Sequence, residues 1–133
     1  METERVRRLL EKAQKARENS YSPYSLYPVG AAVLAEDGTM YGGCNVENVS
    51  YPAGLCAERN AIGSAVADGK RRFLAIAVLG SRETYTMPCG ICRQVMAEFH
   101  IPLAVCGKSP EDYRVYRLEE LFPLAFEEEL KKE

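Results

Sequence analysis

No apolar run in this chain approaches the ~20 residues needed to cross a bilayer, so a membrane-spanning helix is excluded. The opening residues, Met1-Glu2-Thr3-Glu4-Arg5, lack the apolar stretch of a secretory leader, and the expected location is the cytoplasm. Basic runs are missing beyond Lys70-Arg71-Arg72, and the net charge is −2. The electrostatic footprint of a duplex-binding protein is therefore absent, which favours small-molecule partners over nucleic acid. Repeats, linkers and low-complexity segments are absent as well. With 133 residues to build one core, a single domain over 1–133 is expected. Histidine is nearly absent, with His100 the only one.

Cysteine is present five times, an odd number that suits metal or catalytic use in a reducing compartment better than a disulfide scaffold. Three of the five fall in two short stretches, Cys56-Ala57-Glu58 and Pro88-Cys89-Gly90-Ile91-Cys92. Thiolate is a preferred ligand of Zn²⁺ at about 2.3 Å, and three ligands leave the fourth tetrahedral position open, as in a catalytic site that keeps a water there. Glu58, two positions after Cys56, is the candidate base for that water. Cys106 ends the apolar run 101–106 and reads as a small core residue; Cys44 is read the same way.

In chain order, Val6, Leu9, Leu10, Ala13 and Ala16 recur at helical spacing over 4–18 and predict an amphipathic packing helix. Asn19 to Ser25 breaks that period with turn-formers and Pro23. Val29–Ala35 and Met40–Val46 read as strands of a hairpin, because Asp37-Gly38 lies between them. A helix is predicted from Ala57 with Asp68-Gly69 as its stop, then a strand over 73–79, a loop over 80–87 and a second helix from near Gly90. Pro102–Cys106 and Tyr113–Leu118 are further strand candidates, ahead of a charged helical tail holding Leu121, Phe122, Phe126 and Leu130. Strands alternating with helices after a hairpin give an α/β sheet with helices on its faces. The order of strands beyond the hairpin is left open.

All three candidate ligands thus fall at helix N-termini, whose partial positive charge stabilises thiolate. Three thiolates leave Zn²⁺ formally negative, so a compensating cation is expected. Arg59 and Arg93 are the nearest in sequence, and one or both are expected to donate hydrogen bonds to the sulfurs. Competing readings are weaker. A thioredoxin-like redox pair does not require the distant Cys-x-Glu, and a structural zinc would need His100, several turns from Cys92, as its fourth ligand. Glu58 alone would be an ordinary helix-start carboxylate; its pairing with Cys56 raises it above that.

The spacing of ligand-x-Glu followed by Pro-Cys-x-x-Cys marks the zinc deaminases, and the chain resembles the small cytidine deaminases over most of its length. The resemblance rests on Tyr24-Ser-Leu-Tyr-Pro-Val-Gly-Ala-Ala32, Gly43-Cys-Asn-Val-Glu-Asn48, Cys56-Ala-Glu-Arg59, Pro88-Cys-Gly-Ile-Cys-Arg-Gln94 and Leu121-Phe-Pro-Leu-Ala-Phe126. It implies a three-layer α/β/α fold with a mixed sheet of about five strands. It also implies hydrolysis of cytidine and 2′-deoxycytidine to the uridines, with ammonia released. Cys56, Cys89 and Cys92 would bind one zinc ion per subunit. Glu58 would move the proton of the zinc-held water to ring N3 and then to the leaving amino group. Asn45 and Glu47 would hydrogen-bond the ribose hydroxyls, and the backbone of Ala57 would read the pyrimidine edge. Tyr27 stands where the family usually has phenylalanine, so its hydroxyl must find its own surroundings. Short members with three cysteine ligands are homotetramers, in which Tyr51 and Phe126 would reach toward a neighbour's substrate. Two alternatives are a blasticidin-type deaminase on the same scaffold and a non-catalytic, zinc-stabilised binding protein.

Overall fold

In the computed structural model, which describes residues 1–128, the apolar stripe near the N-terminus forms α1, Thr3–Arg17, and turns inward. Val6, Leu9, Leu10 and Ala13 are buried against Ala32, Leu34, Ala75, Ala77, Leu79 and Val105 of the sheet. Removing Leu9 and Leu10 from water stabilises the fold by roughly 1.5–3 kcal/mol each. Strands β1, Val29–Ala35, and β2, Met40–Cys44, pair antiparallel as the Asp37-Gly38 turn predicts, with Leu34 opposite Met40.

Side chains along a strand alternate between faces, and β1 shows what that does. Ala32 and Leu34 meet α1, whereas Ala31, Val33 and Ala35 join the core on the other face. That second core is closed by α2, Ala57–Ala67, through Ala61, Ile62 and Ala65, and by α3, Gly90–Glu98, through Met96. The remaining strands are β3, Phe73–Gly80, β4, Leu103–Gly107, and β5, Tyr113–Arg117. Their order in the sheet is β2-β1-β3-β4-β5. Only β3 and β4 run parallel, and α3 supplies the crossover that a parallel pair requires. Three layers result, α1 on one face and α2 with α3 on the other.

Three expectations are corrected. Strand β2 ends at Cys44 and not at Val46, because the Asn45 side chain leaves the ladder to bond the loop before β1. Cys44 is half-exposed at the end of this edge strand, not a core residue, whereas Cys106 is fully buried and burial pushes its thiol up to about 11. Among the described residues the helical tail reduces to one turn, α4, Leu118–Leu121. Pro123 pushes the residue before it out of the helical region, and Phe122 has φ −146°. Leu124, at φ +53°, then turns the chain away, and Phe126 lies in irregular backbone. Leu130 lies outside the described residues. His100 is exposed just past α3, too far along to act with Cys92.

Candidate active site

Cys56 is the N-cap of α2, Cys89 is the N-cap of α3, and Cys92 lies in the first turn of α3. The two helices approach with their N-termini together, so three sulfurs from two segments fall within 4.8 Å of one another, Cys56 and Cys89 at 3.6 Å. What brings α2 into place is a close approach to β2. A Cβ at Gly43 would lie 2.7 Å from the Ala57 carbonyl oxygen and 2.9 Å from Ala61 Cα. Asn60 adds a hydrogen bond from its side-chain amide to the Cys44 carbonyl at 2.7 Å.

Arg59 Nη2 donates to Cys56 Sγ at 3.5 Å and to the Gly54 carbonyl at 3.4 Å. Arg93 does not share that role. Its Nε donates to the Pro88 carbonyl at 2.8 Å and its Nη1 to that of Leu121 at 2.6 Å, tying α3 to α4. The thiols are strongly interdependent. A hydrogen bond from Cys92, helped by Arg59, holds the Cys56 thiol down at about 5. Cys92 is pushed up, first because it is the partner in that bond and then by burial. Cys56 therefore takes a negative charge readily, and Cys92 beside it resists a second. A soft, divalent cation would relieve that resistance, and three sulfurs at this spacing fit Zn²⁺.

Glu58 is 3 % exposed beside this cluster, and burial pushes its carboxyl up to about 7, with the charge of Cys56 adding to the effect. A cleft of about 540 Å³ leads to it, lined by Tyr27, Asn45, Glu47, Cys56, Ala57, Glu58, Thr86 and Cys89 among others. Two of the three cysteines, the candidate base and four of the six expected substrate contacts thus share one cavity, with Cys92 buried behind it.

Asn45 and Glu47 are oriented by the loop before β1, a feature missed in the sequence. Glu47 accepts the backbone N–H groups of Tyr24 and Ser25, each at 3.0 Å, and the Ser25 hydroxyl, which holds its carboxyl below the ordinary value. Asn45 accepts from the Val29 N–H at 2.9 Å and from the Ser20 hydroxyl, and donates to the Tyr27 carbonyl at 2.9 Å. Each keeps unused capacity, one amide hydrogen and the remaining carboxylate lone pairs. The Tyr27 ring lies under the Arg82 guanidinium at 4.2 Å, another partner that sequence spacing did not suggest.

Tyr51 and Phe126 do not line this cleft. Tyr51 packs edge-on against Tyr24 with ring centroids 5.9 Å apart, and Phe126 offers its carbonyl to Gln94 Nε2 at 3.0 Å. Both rings remain mostly exposed.

A family model described as the cytidine and deoxycytidylate deaminase zinc-binding region matches residues 3–108. A cytidine deaminase of Sporosarcina psychrophila is 56% identical over 94 residues, covering 71% of this chain and 69% of the relative. One from Halalkalibacterium halodurans is 45% identical over 108 residues, covering 81% and 75%. The crystal structure of cytidine deaminase from Burkholderia pseudomallei superimposes with a TM-score of 0.84 at 47% identity, over 90% of this chain and 97% of that one.

Proposed function

The chain belongs to the cytidine and deoxycytidylate deaminase family, and from that premise we propose how its residues carry out the reaction. It is a zinc-dependent enzyme that deaminates cytidine by hydrolysis. Three sulfurs and a buried carboxylate at the end of one cleft are the observation that carries the assignment of roles. Cys56, Cys89 and Cys92 hold the zinc. Bound there, the ion would act as a Lewis acid that lowers the pKa of a water enough for it to lose a proton at neutral pH and become the nucleophile for C4 of the pyrimidine.

Glu58 removes the proton from that water and delivers it to ring N3. The remaining proton of the oxygen added at C4 passes by way of the same carboxylate to the amino group, so that C4=O forms as the C4–N bond breaks and ammonia leaves. A carboxyl with its pKa near neutrality suits both directions of transfer. Arg59 offsets the excess negative charge of the thiolates. Asn45 and Glu47, held by the 20–29 loop, present their remaining hydrogen-bonding capacity to the ribose, while the Ala57 backbone reads the base edge. The same reading extends to 2′-deoxycytidine.

Beyond the single chain, the 133 residues act as one deaminase domain, in the cytoplasm, within a homotetramer. Support for the assembly comes from aromatics left uncovered on the surface: Tyr51 is 75% exposed and Phe126 77%. Such residues suit contact with a neighbouring copy's substrate. No helix among the described residues is long and apolar enough to cross a membrane. The direct test is the loss of cytidine absorbance with stoichiometric ammonia release by the purified zinc-loaded protein. Absence of turnover with both cytidine and deoxycytidine would overturn the assignment.

A further inference from the structure

We propose that Gly80 is a specificity-determining position, which holds the hydroxyl end of Tyr27 against the end of β3 and so sets how far the tyrosine ring stands back from the cleft. The inference rests on the reading that this cleft receives the nucleoside. Gly80 lies within β3 with no left-handed φ, so conformation does not demand glycine there. Space does. A Cβ on Gly80 would overlap the Tyr27 hydroxyl, and it would come within 2.7 Å of Tyr27 Cζ and 2.8 Å of Thr86 Oγ1.

Of the groups that would collide, only the tyrosine can yield. The Gly80 N–H donates to Thr86 Oγ1 at 2.8 Å, and its carbonyl accepts from Arg17 Nη1 at 2.6 Å. Gly80 is also paired with Val29 across the β1–β3 ladder. Thr86 is itself buried, with its N–H bonded to the Gly107 carbonyl at 3.2 Å. The Tyr27 ring, by contrast, is half-buried and borders the cleft that holds Glu58 and Cys56. A side chain at position 80 therefore displaces the ring into the space meant for substrate. Tyr27 and Gly80 form a size-matched pair, in which the hydroxyl of one fills the volume that the other leaves empty.

Four proteins test the pairing: wild type, Gly80→Ala, Tyr27→Phe and the double variant, each assayed for cytidine kinetics and thermal unfolding. Gly80→Ala is expected to raise KM for cytidine roughly tenfold, a coupling of the size found between residues in contact, with kcat changed less than about threefold because Glu58 and the cysteines are untouched. In the Tyr27→Phe background the same substitution is expected to change KM by less than about half that factor, since the closest overlap is gone while Cζ and Thr86 Oγ1 still crowd the added carbon. An equal change in KM in both backgrounds overturns the proposal. The Tm values of the four proteins report the same coupling without substrate. If the wild type fails to turn cytidine over, the functional reading falls, while additive Tm changes would separately refute the pair. Should Gly80→Ala not fold, a folded double variant supports the pairing and an unfolded one overturns it.

Discussion

Glu58 brings together near-complete burial and a neighbouring thiolate, and both raise the free energy of its charged form. As the proton carrier it is expected to be indispensable. Glu58→Gln should retain zinc, because the carboxylate is not a ligand, and lose turnover by roughly 10²–10⁴-fold. Metal analysis beside steady-state rates checks this; a zinc-free variant or one with wild-type rates contradicts it. The same residue gives a pH signature to the metal-free protein. Its folded pKa of about 7 lies above the ordinary 4.5, so between those values the native state binds the proton more tightly than the unfolded chain. Stability therefore declines as pH rises through that window, and Glu58→Gln escapes the decline. Urea unfolding of both metal-free proteins should show the gap moving in the variant's favour from about pH 5 to about pH 8, by on the order of 3 kcal/mol at most. A gap independent of pH would contradict it. At this scale the sequence was informative where chemistry is local. Cys56 and Glu58, and Cys89 and Cys92, declare themselves by spacing within one helical turn. The hydrogen bonds from Ser20 to Asn45 and from Ser25 to Glu47 span 25 and 22 residues, and nothing in local spacing announces them.

Helices α2 and α3 position the site, and the fit of α2 against β2 depends on a missing side chain at Gly43. Gly43→Ala should push the first turn of α2 away, because the nearest atoms are backbone of Ala57 and Ala61 and cannot rotate aside. We expect a loss of about 1–3 kcal/mol, as for overpacking, together with weakened zinc retention. Gly63→Ala, on an open face of the same helix with nothing within 4 Å, should be neutral or stabilising by up to about 1 kcal/mol. Melting temperatures and zinc stoichiometry compare the two; equal behaviour would contradict the close-approach argument. The hairpin was legible because Asp37-Gly38 is a local turn signal, and α2 because Asp68-Gly69 is a local stop. The order β2-β1-β3-β4-β5 was not, since strand pairing joins residues far apart in the chain. The tail misled because Leu121, Phe122 and Phe126 imitate helical spacing while Pro123 interrupts it.

For the molecule as a whole, the resemblance to short three-cysteine deaminases implies an assembly of four chains with closed point-group symmetry, and the uncovered Tyr51 and Phe126 are free to make its contacts. Light scattering should give about four times the mass of the chain, and a fully active monomer would remove both the assembly and the roles of those two aromatics. One consequence follows from the division of the sulfurs between two helices. Cys56 and Cys89 are 33 residues apart, with β3 between them, so an ion held by both acts as a cross-link that shortens the free chain in any partly opened state. Deuterium uptake should report this directly. Chelation is expected to speed amide exchange in the first turns of α2 and α3 together, while α1, packed on the opposite face of the sheet, keeps its protection. If exchange rises in α3 alone, the ion is not joining the two halves of the fold.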